Sequence, residues 1–422
     1  MLNNSNLRLS IIINSLIFLF FTPLLLIKKS YYIAPLILLI IALLFLVFKK
    51  NKIFKLTPEI RTYVIACSGY FLVALMIAII HHDKIPTSFK AEMLALLTIP
   101  ILILFLYFRP DFKILSFSLS ISAILVGCHA IYDKFFLGTF RALSDGAVHI
   151  VITGGIIMTI AMLCCAISIY HLSQQQYKNA LFSGFAAIMG ILAGFFTGSR
   201  GSWLIFPFII LLLFVIYWKS LKKLIPVIGI CILTGIAILT LSPQTGISER
   251  YHQAIYDITH YTEQTEKTTS IGMRFELWKS AWYGFLEKPV FGWGKEGMFD
   301  AKKQQIAQGI VIPYTLAPHL THAHNQFLEQ MFFRGSIGLI ALLAILFIPL
   351  IHFSAHFYRA NSSYEKLISL LGIINILTFL SYNLSDVFLT MKESAMFYYM
   401  LNAIIYAMLY HYRQPIHMVT KS

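Results

Sequence analysis

Long apolar runs separated by short polar joints dominate this chain. Crossing about 30 Å of hydrocarbon as a helix takes about 20 apolar residues. Runs of that order occur at residues 10–27, 31–48, 62–80, 91–108, 114–132, 148–170, 180–198, 201–218, 224–241, 327–353, 367–384 and 395–410. The pattern predicts an all-α polytopic membrane protein with about 12 transmembrane helices, since helices satisfy their own backbone inside a membrane. Joints as short as Lys28-Lys29-Ser30 and Ser199-Arg200-Gly201 imply antiparallel hairpins. One polar excursion is far longer than the others. It divides the chain into an N-terminal bundle (residues 1–241), a large loop between helices 9 and 10 (residues 242–323) and C-terminal helices (residues 324–422).

The loop itself reads as mainly helical. Tyr251, Ile255 and Ile258 recur at helical spacing. A second helix is predicted over 273–287, with Phe275, Leu277, Trp278, Ala281, Trp282 and Phe285 on its apolar side. Ser270 or Gly272 would cap it, and Pro289 with Gly292-Trp293-Gly294 would end it. Two amphipathic helices are too few to bury a core of their own. The loop is therefore expected to lie as a lid on the bundle end or the lipid interface.

Composition agrees with this layout: 58% of residues are hydrophobic, 12% are charged, and the mean hydropathy is +0.76. A net charge of +15 would suggest nucleic acid in a soluble chain. In a membrane chain it marks the cytoplasmic side. With the N-terminus inside, about sixteen Lys and Arg fall on the inner side against about eight in the short outer loops. Both termini are then cytoplasmic, and the long loop faces the periplasm of a Gram-negative inner membrane. The first apolar run lacks a small-x-small cleavage site and is expected to be retained. Cys67, Cys128, Cys164, Cys165 and Cys231 all sit in apolar runs, which argues against a disulfide framework or a thiolate metal site.

Candidate chemistry gathers at the outer side. Arg200 lies in Thr197-Gly198-Ser199-Arg200-Gly201-Ser202. It can snorkel to headgroups, or bind an anion such as pyrophosphate through paired hydrogen bonds that Lys cannot reproduce. Arg274 falls in the first turn of the second loop helix, where an anion held by free N–H groups would offset the unfavourable helix dipole. It can equally pair with Glu276 or Glu266. His319, His322 and His324 resemble a metal cluster, but their spacing does not match a helical ligand pair and no carboxylate lies among them. No metal is expected. A histidine just before a span suits a base acting on a substrate held in the membrane. No P-loop or dinucleotide fingerprint appears, and no cofactor is expected.

These residues carry a family resemblance. His324-Asn325, nine residues and then Gly335-Ser336-Ile337-Gly338 resembles the His-Asn-x9-Gly-x-x-Gly signature of bacterial O-antigen ligases. Pro289-Val290-Phe291-Gly292-Trp293-Gly294 is similar to a stretch common to the wider ligase and polymerase superfamily. Thr197–Arg200, Gly272–Arg274 and Ser385-Asp386 resemble further segments of it, and the layout of spans and loop matches. The resemblance implies a glycosyltransferase that moves O-antigen polysaccharide from undecaprenyl pyrophosphate to a sugar hydroxyl of lipid A-core oligosaccharide, inverting and without a metal. It implies His324 as general base and Arg200 and Arg274 as ligands of the donor pyrophosphate. His322, Asn325 and Asp386 are further candidates for substrate binding. Its partners would be the two lipid-linked substrates and membrane lipids, with no nucleic acid. An O-antigen polymerase uses the same donor but usually has two sizeable Arg-bearing outer loops. Here the loop over residues 133–147 is short and holds Arg141 alone. A lipid-linked sugar flippase or other transporter would need polar residues lining the membrane centre, whereas this chain keeps its charges at the span ends.

Overall fold

Helices carry most of the described residues in the computed structural model, which describes residues 4–48, 56–84, 89–222, 247–263 and 267–413; no strand occurs among these residues. The first seven predicted spans appear in order as α1 (Asn4–Phe21), α2 (Ser30–Phe48), α3 (Pro58–Ile80), α4 (Lys90–Tyr107), α5 (Phe112–Phe135), α6 (Ile150–Ser173) and α7 (Tyr177–Phe196). The predicted eighth span is broken into α8 (Arg200–Trp203), α9 (Phe206–Ile216) and the single turn α10 (Trp218–Leu221). Pro207 in the first turn of α9 has no N–H to continue a ladder from α8. The ninth predicted span, 224–241, lies outside the described residues. The first hairpin joint is also longer than expected. α1 stops at Phe21, and Pro23 then organises a turn by accepting from the Leu26 and Ile27 N–H groups, both at 3.0 Å.

The loop forms α11 (Ile247–Thr262), α12 (Ser270–Glu287) and α13 (Met298–Ala307), followed by a 3-10 turn (Pro313–Leu316). Three helices close the described chain: α14 (Gln326–Arg359), α15 (Ser363–Ser385) and α16 (Lys392–Arg413). Eight helices among the described residues are long and apolar enough to cross a membrane, and α1 and the α8–α9 pair are shorter apolar helices. The protein is a multi-pass, all-α membrane protein.

Short polar side chains start the helices that matter for the site. Thr57 caps α3, Asp111 caps α5, Asn325 caps α14 and Ser362 caps α15, each accepting a first-turn N–H. α6 is the most enclosed span and packs along α7. Gly190 faces Ala161 and Gly194 faces Met158 there, and the missing side chains let the two backbones approach. The end of α7, the end of α15 and the start of α14 thereby meet at one end of the bundle. The loop docks on that end. Ala281, Met298 and Ala323 form a small core with Phe332 and Phe333 of α14, so α12 and α13 bury their apolar sides against the bundle.

Candidate functional site

The histidine segment enters the site through the cap of α14. The Asn325 carboxamide oxygen accepts from the Phe327 and Leu328 N–H groups at 3.0 and 3.1 Å, and its amide nitrogen donates to the Leu384 carbonyl at 3.2 Å. One side chain thus ties the start of α14 to the end of α15. Sequence suggested Asn325 as a substrate ligand; in the fold its amide is engaged in holding these two ends together. Immediately before it, His324 has φ 49°, in the left-handed region where a non-glycine residue is strained. That backbone turns the imidazole towards Asp386, the residue just past α15. His324 Nδ1 stands 3.4 Å from Asp386 Oδ1, and His322 Nε2 stands 3.8 Å from the same oxygen. The two rings lie 4.2 Å apart between centroids. His324 Nδ1 is buried and has no hydrogen-bond partner of ordinary geometry. The carboxylate is the acceptor within reach.

Burial alone would push the Asp386 carboxyl up. The pull of His324, the Val387 N–H at 2.8 Å and His322 outweigh it and hold the carboxyl below its ordinary value. Burial, helped by the neighbouring His324, depresses His322 to about 4 against the opposing pull of Asp386. His322 is therefore neutral near pH 7, while Asp386 is ionised. His319 is separate from the pair: it is exposed and lies edge-on to Tyr314. The His322, His324 and Asp386 ligand atoms also lie within 4.8 Å of one another, the donor set of a small cation site. The sequence expectation of no metal relied on a missing carboxylate, and the end of α15 supplies one.

Beside this trio is a cleft of about 80 Å³ lined by Arg141, Arg200, Arg274, Ser199, Ser270 and Ser385. Three guanidiniums from three distant segments thus converge. Arg200 opens α8. Arg274 is the fifth residue of α12, just past the first turn where it was expected, because the cap is Thr269 rather than Ser270 or Gly272; Thr269 Oγ1 accepts the Gly272 N–H at 3.1 Å. Burial and the like charge of Arg200 lower the Arg274 pKa, and Asp386 opposes them. Glu276, the expected alternative partner of Arg274, is instead bound to the Tyr261 hydroxyl at 3.1 Å and the Ile312 N–H at 3.0 Å. Glu266 lies outside the described residues.

Sequence reasoning used Arg141 only as the single arginine of a short loop, a mark against a polymerase, and did not place it in the site. Its Nε donates to the Thr197 carbonyl at 2.7 Å and its Nη2 to Ser199 Oγ at 3.3 Å, while the next residue's N–H bonds the Phe196 carbonyl at 2.9 Å. The short loop is thereby clamped on the Thr197–Arg200 segment. The signal was present: like Arg200, Arg141 is an arginine in a predicted outer joint.

Buried polar groups hold the histidine segment from behind. Lys302 Nζ donates to the Thr315 and Leu320 carbonyls at 3.0 and 2.8 Å, and burial lowers its pKa to about 8. Glu329 accepts the Ala323 N–H at 3.1 Å, directly between the two histidines in sequence. Gln326 accepts the Leu389 N–H at 3.1 Å and steadies the segment after Asp386. The two glycine motifs turn out to be one structural unit. α14 breaks at Gly335 (φ 60°, ψ −156°), and the Pro289–Gly294 turn fits the break. Ser336 N–H donates to the Pro289 carbonyl at 2.8 Å, Trp293 N–H to Phe332 at 2.9 Å and Gly294 N–H to Phe333 at 3.0 Å. A Cβ on Gly335 would collide with the Val290 carbonyl, and one on Gly292 with the Phe333–Arg334 peptide.

The chain is similar to known proteins. A family model described as O-antigen ligase matches residues 184–343, a segment that runs from α7 through Arg200, Arg274 and His324 into α14. An uncharacterized protein of Haemophilus influenzae is 32% identical over 393 residues, covering 93% of this chain and 97% of the relative. The O-antigen ligase of Escherichia coli K12 is 27% identical over 241 residues, covering 55% of this chain and 52% of the relative. Arg200, Arg274, His322 and His324 fall inside the matched segment while Arg141 and Asp386 lie outside it, and the chain belongs to the O-antigen ligase superfamily, as a membrane-embedded enzyme of the ligase or polymerase type.

Proposed function

We propose that the protein is an O-antigen ligase of the inner membrane that transfers polysaccharide from undecaprenyl pyrophosphate to a sugar hydroxyl of lipid A-core, with the site facing the periplasm. Residues 242–323 act as the outer lid, flanked by the membrane segments at 1–241 and 324–422. His324 is the general base. With Nδ1 turned to Asp386, Nε2 is the nitrogen left to take the acceptor proton, and Asp386 stabilises the imidazolium that forms. The acceptor oxygen bonds to the anomeric carbon as the bond to the pyrophosphate oxygen breaks. The configuration inverts, and undecaprenyl pyrophosphate leaves with the electron pair. Arg200 and Arg274, joined by Arg141, neutralise the growing charge on that leaving group. Three guanidiniums supply this without a metal, and the activated donor makes ATP unnecessary.

The observation that carries the reading is the His324–Asp386 pair standing beside the three-arginine cleft. A base and an anion clamp are the two functions that displacement of a pyrophosphate requires. The test is ligation by purified protein from lipid-linked polysaccharide to rough lipopolysaccharide. His324→Ala and each of Arg141→Ala, Arg200→Ala and Arg274→Ala should lower the rate by about 10²–10³-fold, and EDTA should leave the wild type unchanged. Wild-type rates in all four variants would overturn the reading, and loss of activity in EDTA restored by Mn²⁺ would move the trio to a metal role. Arg141 favours a second reading, because it gives the cleft an arginine from a second outer loop, as in polymerases. Growth of the chain on its lipid carrier, with no transfer to core, would identify that activity.

A further inference from the structure

A second cavity, of about 370 Å³, opens beside the trio, and His322 lies in its wall. Ser385 lines the arginine cleft, whereas Val387 and Thr390 line this cavity, so Asp386 and its two histidines stand between the two spaces. In a displacement at an anomeric carbon the nucleophile and the leaving group occupy opposite sides of that carbon. With the leaving pyrophosphate on the arginine side, the acceptor enters from the other.

The charges of this second cavity define what it can take. Three carboxylates line it, and each is already engaged. Asp83 accepts the Lys295 and Glu296 backbone N–H groups at 2.8 and 2.9 Å. Glu92 pairs with Arg334 at 2.6 Å. Glu329 holds the Ala323 N–H. Around them stand the exposed side chains of Lys90 at the start of α4, Lys392 at the start of α16 and Lys295 in the loop. Among the described residues neither Lys90 nor Lys392 has an ion-pair partner. The packing of α4 on α16 brings these two lysines to one rim. A neutral sugar would not require such a rim, whereas an acidic group on the sugar would be held there without disturbing the buried carboxylates.

We propose that this cavity is the acceptor subsite, and that it takes an anionic sugar, bearing phosphate or carboxylate groups held by Lys90, Lys295 and Lys392, whose hydroxyl passes His322 to reach His324. The proposal rests on the transferase reading above and adds the chemical class of its acceptor. The test compares wild type with a Lys90→Gln/Lys392→Gln double variant on rough lipopolysaccharide in three forms: intact, stripped of phosphate, and carboxyl-reduced.

On the intact acceptor the variant should show a roughly tenfold higher acceptor KM, with kcat and the donor KM unchanged. Added salt should shrink the difference. The gap should close on whichever stripped form lacks the recognised group, which tells phosphate from carboxylate. Equal KM values on the intact acceptor, or a gap that persists on both stripped forms, would overturn the proposal. If the wild type transfers to no acceptor, the transferase reading fails on its own. Binding of the intact core oligosaccharide then decides the subsite: weaker binding by the double variant supports it, and equal affinity overturns it.

Discussion

His322 and His324 are two residues apart and share one carboxylate, yet they handle a proton differently. Burial takes His322 down to about 4, so between pH 5 and 8 it carries no charge and serves as a neutral wall beside the base. Asp386, held below its ordinary value, stays ionised over the same range. Loss of activity on acidification should therefore follow the uptake of one proton rather than two, read as unit slope in the acid limb of log kcat/KM. The linkage has a definite sign. In a disordered chain His322 protonates as pH falls through its ordinary 6.5, while in the folded chain it does not until about 4. The disordered state binds more protons in that window, so ordering of this segment weakens as pH falls through it. Amide exchange across residues 319–325 should be faster at pH 5 than at pH 7 after correction for intrinsic rates, and His322→Gln should remove the difference. The histidines, Arg200 and Arg274 were legible one by one. The pairing of His324 with Asp386 was not, because it depends on the end of α15 meeting the cap of α14.

At the scale of elements, the informative feature is the broken start of α14. The spacing of the glycines identified the family resemblance without giving a reason for it. The reason is steric. Gly335 has backbone angles open essentially to glycine alone, and its missing side chain leaves room for the Pro289–Gly294 turn. Gly335→Ala should cost roughly 2–4 kcal/mol, from backbone strain together with the clash at Val290. It should appear as a lower unfolding temperature in detergent and as loss of ligation. An unchanged unfolding temperature would show that the turn can move away freely. The eighth span gives the converse case. Its length and apolarity predicted one helix over 201–218, but the chain breaks between α8 and α9, and Arg200, expected in the joint before that span, is the first residue of α8 and lines the cleft.

At the scale of the whole molecule, the lid is held at several separate points. Its small core rests on Phe332 and Phe333, Lys302 pins the approach to the histidines, and Asp83 reaches from the end of α3 to grip residues 295 and 296. Asp83→Ala leaves two backbone N–H groups without their acceptor and frees this edge of the lid. Limited proteolysis should cut faster between residues 288 and 303, and kcat/KM should fall about tenfold because Arg274 rides on the same lid. Equal cleavage of variant and wild type would assign Asp83 no part in holding the lid. That the loop would be a lid on the bundle followed from its having too few apolar faces for a core. Where it would be fastened did not, since Asp83 is more than two hundred residues from its partners.

Sequence by itself determined the class of molecule: run lengths set the helices, charge set the expected orientation, and the order of short motifs pointed to the superfamily. Those properties are local, because a span is apolar or not whatever its neighbours are. The tertiary structure alone decided the chemistry of the site. It brought Arg141 to Arg200 and Arg274, gave the histidines their carboxylate, joined the two glycine motifs into one turn-and-break, and separated an arginine cleft from a lysine-rimmed cavity. Each of these needs residues from distant helices to arrive at one end of the bundle. Their meeting depends on how α7, α12, α14 and α15 pack, which no local pattern records.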